Sequence, residues 1–82
     1  MPNATYILNS RGLVQLKLGT FDGAIADYSA AVAQDAKDAD SLYGRGMAKL
    51  KKGDTASGNA DLAAAKAIQP DIDKAFAGHG VN

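Results

Sequence analysis

The residues able to do chemistry in this sequence are few, and their spacing points to pairing rather than to catalysis. Arg11 precedes Asp27 by the same interval at which Arg45 precedes Asp61. A guanidinium can fork onto a carboxylate in bidentate fashion, so the recurrence reads as two structural ion pairs joining neighbouring helices. Lys17, Lys49, Lys51 and Lys52 gather near two expected helix ends. Cations there complement the helix macrodipole and face water. His79 is the single histidine, set between glycines; one imidazole builds neither a metal site nor a catalytic pair. The absence of cysteine removes disulfides, thiolate nucleophiles and Cys-based zinc or iron–sulfur sites. Gly44-Arg45-Gly46 is no phosphate loop, because the following spaced Gly-Lys-Ser/Thr is missing and the run lies inside a helical pattern. The expected catalytic, metal and cofactor sites are therefore none, and the chain is not expected to be an enzyme.

Nine basic and nine acidic residues cancel, so there is no electrostatic case for nucleic acid or for an anionic membrane surface. Every acid is Asp, a poor interior helix residue but a good N-cap, which fits short helices with many ends. No apolar run approaches the roughly 20 residues needed to span a bilayer, and the start lacks a basic stretch followed by an apolar one. A cytoplasmic location with no membrane partner is the resulting expectation, and it leaves the glycosylation pattern Asn3-Ala4-Thr5 without weight. At 82 residues the chain is expected to form one small domain with a marginal core. Alanine dominates its apolar fraction, which implies helices packed closely through small side chains.

The elements that must position these residues come from a duplication. The stretch 8–31 recurs in register as 42–65: Leu8, Arg11, Gly12, Leu16, Lys17, Gly19 and Asp27 return as Leu42, Arg45, Gly46, Leu50, Lys51, Gly53 and Asp61. With four alanine matches this makes 11 identities in 34. A period within the range of roughly 20 to 50 residues marks a repeat architecture whose single units cannot bury their own apolar faces. Leu8, Gly12 and Leu16 share one helix face, as do Leu42, Gly46 and Leu50. A mid-helix glycine costs about 1 kcal/mol against alanine, so Gly12 and Gly46 imply close approach of a neighbouring helix. Lys17-Leu18-Gly19-Thr20 reads as a helix end, a turn and a new N-cap, after which a second helix runs from about 21 to 34. The spacing predicts a third helix over about 41–52. A fourth begins poorly, because Thr55, Gly58 and Asn59 replace Phe21, Ala24 and Ile25. Pro70 ends it, and a short helix from Asp71 to about Ala77 closes over it, followed by a tail.

These residues resemble the tetratricopeptide repeat. The pattern falls on Leu8, Arg11-Gly12, Gln15, Gly19, Phe21, Ala24, Tyr28 and Ala31, with Ala36 in place of its proline. It falls again on Leu42, Arg45-Gly46, Lys49, Gly53, Thr55, Gly58, Leu62, Ala65 and Pro70. The resemblance implies an all-α fold of tandem antiparallel helix hairpins, an α-solenoid with a short C-terminal helix: one repeat over 5–38, a second over 39–72, and a capping helix with tail over 71–82. It implies a non-enzymatic protein-interaction module that takes a peptide or partner segment in a concave groove lined by the first helix of each hairpin. Carried over, the groove stripe is Tyr6, Asn9, Ser10, Leu13 and Lys17, then Asp40, Tyr43, Gly44, Met47 and Lys51, with Lys74 from the last helix. Relatives that clamp a C-terminal carboxylate have Asn where Ser10 and Gly44 stand.

A structural or self-associating unit is the alternative, since two repeats fall below the three or so usually wanted for independent stability. The segment 33–41 contains no glycine or proline, so the second and third helices can either bend at Ala36 or fuse into one helix. Fusion would let two chains exchange hairpins as a homodimer.

Overall fold

A computed structural model describes residues 4–78. Asn3 of the glycosylation pattern and the tail with His79 lie outside them. Five helices follow in order: α1 (Ala4–Leu18), α2 (Phe21–Gln34), α3 (Ala39–Lys52), α4 (Thr55–Ile68) and α5 (Ile72–Ala77). Among the described residues there is no strand. The fold is all-α, with α1–α2 and α3–α4 forming antiparallel hairpins, α2 packed on α3, and α5 resting mainly on α3.

Both hairpin turns use the same device. Gly19 and Gly53 take φ of +84° and +104°, the left-handed region that glycine enters without a side-chain clash. The next amide then folds back onto a carbonyl of the preceding helix: Thr20 N–H donates to Gln15 O at 2.9 Å and Asp54 N–H to Lys49 O at 2.8 Å. These bonds satisfy carbonyls that the helix end would otherwise leave open.

The α2–α3 junction is bent. The segment 33–41 does not form one helix, so the fused form is not the one observed. The stop comes from Asp35, whose backbone is extended (φ −142°, ψ 96°) and whose carboxylate accepts from Lys37 N–H at 3.1 Å. An Asp side chain that caps its own turn competes with helix continuation, so no glycine or proline is required. With Asp38 at the N-cap, α3 starts at Ala39, slightly before the expected start at about Ser41.

The fourth helix is complete despite its weak opening. Gly58 is there for packing: a Cβ built on it would lie 2.9 Å from Gly46 O, and one on Gly46 would lie 2.8 Å from Gly58 O. Backbones of α3 and α4 therefore touch, which no larger residue pair allows. In the first hairpin and across to α3 the same closeness is filled by Tyr28. Its ring is fully buried and lies 3.0 Å from where a Gly12 Cβ would be, while its Oη lies 2.6 Å from where a Gly44 Cβ would be. Leu16, Ala24, Ala48 and Phe76 complete this cluster; Ala39, Leu42, Ala65 and Ile72 form a second.

Gly44→Ala is expected to lower stability by about 1–3 kcal/mol, the range for overpacking a filled core, although alanine is the better helix former. Chemical denaturation of the two proteins, compared at equal m-value, measures it.

Candidate functional site

Two reversals of chain direction make α1 and α3 parallel neighbours, and α5 continues the same layer beside α3. The two longer helices thus present equivalent stripes in register. Lys17 and Lys51 stand in their last turns, and Tyr6 and Asp40 in their first.

The structure gives these stripe residues different surroundings. Tyr6, Ser10, Lys17, Lys51 and Lys74 are exposed. Leu13, Tyr43 and Met47 are half-buried and lie against the Tyr28 cluster, and Tyr43 stacks obliquely on Phe76 with ring centroids 5.1 Å apart. These three therefore support the core with one side and leave the other open. Gly44 is buried beneath Tyr28 and offers no side chain. Asn9 is half-buried and donates its amide to Asp38 Oδ2 at 3.3 Å and to Ser41 Oγ at 3.2 Å; the Ser41 hydroxyl donates to Asp38 at 2.7 Å. That network latches α1 to the start of α3, so part of the Asn9 hydrogen-bonding capacity is spent inside the fold.

The two arginine–aspartate pairs form as the spacing predicts. Arg11 Nε and Nη2 donate to Asp27 at 2.8 Å each, and Arg45 Nε and Nη2 to Asp61 at 2.8 and 2.9 Å. Sequence reasoning missed a third member of each group. Gln15 donates its amide to Asp27, and Lys49 Nζ lies 2.9 Å from Asp61 and donates to Ser57 Oγ at 2.8 Å. Gln15 and Lys49 occupy the same position in their repeats, and each stands one turn after its arginine. That register was the signal available. Lys49 is thus a half-buried bridge between α3 and α4, not a solvated helix-end cation. Lys52 reaches across the turns to pair with Asp22.

These contacts set the electrostatics. Asp27 is held below the usual carboxylate range chiefly by the Arg11 hydrogen bond, with Gln15 helping against the cost of burial. For Asp61 burial is the largest influence and pushes upward, but the hydrogen bonds from Arg45 and Lys49 together outweigh it and the net shift is down. Tyr28 is pushed up by burial and by the charges of Asp40 and Asp38, and its buried hydroxyl has no hydrogen-bond partner among the described residues. Tyr43 is also raised, by burial and by Asp73. Among the described residues no three His, Cys, Asp or Glu side chains come together as metal ligands, and no helix is long and apolar enough to cross a membrane.

Comparison with known proteins agrees with the geometry. A family model described as TPR repeat matches residues 12–53, just over half of the chain. No curated protein and no solved structure matches.

Two predictions come from the paired groups. Arg45→Met leaves Asp61 buried with only Lys49, so it is expected to cost about 2–4 kcal/mol, near the range for breaking a buried pair. Arg11→Met, at a guanidinium that is 63% exposed, is expected to cost clearly less; parallel urea titrations compare them. Because the folded-state pKa of Asp27 and Asp61 is depressed, their stabilisation is complete above the unfolded value and is lost as pH falls through the folded one. Thermal midpoints are expected to hold from about pH 7 to 5 and to fall below about pH 4.

Proposed function

This chain belongs to the tetratricopeptide-repeat family, whose members are in general non-enzymatic protein-interaction modules, and on that premise we propose that it binds an extended segment of a protein partner along the shared face of α1, α3 and α5. The observation that carries the reading is the half-buried state of Leu13, Tyr43 and Met47. Each is anchored on its core side and open on the other, which gives an apolar floor with little side-chain entropy left to lose on binding. Aromatic and thioether groups suit such a floor, since both accept varied apolar contacts.

Around that floor the charge is uneven. Lys17 and Lys51 are exposed, stand at the same end of parallel helices, and have no ion-pair partner among the described residues. At the other end Asp40 and Asp73 accompany Lys74. A bound segment would run with acidic residues or its C-terminal carboxylate toward Lys17 and Lys51, and with apolar side chains over Leu13, Tyr43 and Met47. Ser10 and the free side of Asn9 would offer hydrogen bonds to its backbone, and Tyr6 would flank the opposite end. Gly44 would touch the segment with backbone at most, because Tyr28 fills the space its missing side chain leaves. We read 5–38 and 39–72 as the repeat units that build this face, with the last helix completing it.

The test is selection of random peptides on the immobilised full chain, followed by anisotropy measurements on resynthesised winners. Selected peptides are expected to carry acidic and apolar residues and to bind a Lys17→Glu, Lys51→Glu double variant at least about tenfold more weakly, a difference of about 1.4 kcal/mol. Arg11→Met, on another face, should leave them unaffected. Equal binding to wild type and the double variant would remove this orientation of the partner.

A further inference from the structure

The constant offset between the hairpins makes one an internal control for the other. Ile7, Arg11, Val14 and Leu18 of α1 correspond to Ser41, Arg45, Ala48 and Lys52 of α3. On α3 the first three positions are covered. Ser41 and Ala48 have no exposed surface, and Arg45 is 20% exposed and donates Nη1 to Ser29 Oγ of α2 at 3.4 Å. On α1 the same positions are largely open among the described residues. Ile7 is 54% exposed, Val14 55% and Leu18 75%. Two of the residues also change character: Ser41 and Ala48, small where the fold covers them, are replaced by the larger, apolar Ile7 and Val14 where it leaves them open. Among the described residues, three of the five large exposed apolar side chains fall on this one stripe.

The counterpart face shows what shape of object fits, which is a helix. The spacing on α1 says which helix. Ile7, Arg11, Val14 and Leu18 follow one another at steps of four, three and four, the rhythm of a coiled-coil seam with one polar position. That rhythm reads the same from either end, so an antiparallel copy of α1 sets Ile7 against Leu18 and Arg11 against Val14, twice, about a two-fold axis. Such an interface is self-complementary, as closed dimers require. Charge does not forbid it: Asp27 offsets part of the Arg11 charge, the exposed side of the guanidinium still favours a carboxylate over an ammonium across the seam, and the chain carries no net charge.

We propose that the chain self-associates through α1, its Ile7–Arg11–Val14–Leu18 stripe pairing antiparallel with the same stripe of a second copy. The stripe lies roughly 100° around the helix from Tyr6, Ser10, Leu13 and Lys17, so a pair would leave both peptide-binding faces open and present them bivalently. A single seam along one helix is small against the ~1,200 Å² of standard complexes, which makes the pair weak and reversible. Bivalent display then strengthens with local concentration.

Sedimentation velocity of the full chain from about 10 µM to about 1 mM tests it. The wild-type mass is expected to rise from 8.4 kDa toward twice that value. Val14→Lys sets an ammonium against Arg11 of the other copy and is expected to hold the chain monomeric, a loss of at least about tenfold in association. Val14→Asp sets a carboxylate there and is expected to lose clearly less. Val14 is exposed, so both variants should keep the wild-type circular dichroism. Any of three results overturns the proposal: a wild-type mass of 8.4 kDa throughout, association of Val14→Lys equal to wild type, or equal losses in the Lys and Asp variants.

Discussion

Everything in this fold depends on helices approaching more closely than ordinary side chains permit. Tyr28 is the centre of that constraint. Its ring fills the space over Gly12 on one side and Gly44 on the other, so α1, α2 and α3 are held at once by a single buried side chain. In the second hairpin, where Leu62 replaces Tyr28, the gap is closed instead by backbone contact between Gly46 and Gly58. The two hairpins reach the same architecture by different means, because a glycine pair and a glycine–aromatic pair fill the same distance. A chain whose commonest apolar residue is alanine has little large side-chain volume with which to build a core.

Polar groups add register to this packing. Asp27 and Asp61, one on the second helix of each hairpin, each receive an arginine and a further donor from the first, and the donors come from residues one helical turn apart. Bidentate geometry leaves little freedom to slide or rotate. The Asn9–Asp38–Ser41 network extends the same kind of constraint from α1 to α3. The internal group is shielded and the outer one is open: Arg45 is covered by α2, whereas Arg11 faces water. Identical sequence thus carries different energetic weight according to whether a neighbour is present.

That asymmetry also organises the surfaces. The face shared by α1, α3 and α5 is continuous with the core through Leu13, Tyr43 and Met47, so its shape is set by the same packing that holds Tyr28. The outer side of α1 owes nothing to the core and is free to carry large apolar residues. One surface is a consequence of folding. The other is an addition to it.

Helix positions, the turns at Gly19 and Gly53, and the two arginine–aspartate pairs were all legible in the sequence, because each rests on local spacing that the second hairpin repeats. Gln15 and Lys49 were legible by register, yet their residue types differ and hid the shared role. The stop at Asp35 was missed because an Asp that caps its own turn looks like any polar residue until its backbone is seen. Gly58 looked like a weakness because propensity counts only the helix that contains a residue and not the helix against it. The half-buried state of Tyr43 and Met47, and the contrast between covered Ser41 and Ala48 and open Ile7 and Val14, belong to tertiary structure alone. A residue's own neighbours in the chain set which face of a helix it occupies. What lies over that face is set by helices distant in sequence, and only their packing decides it.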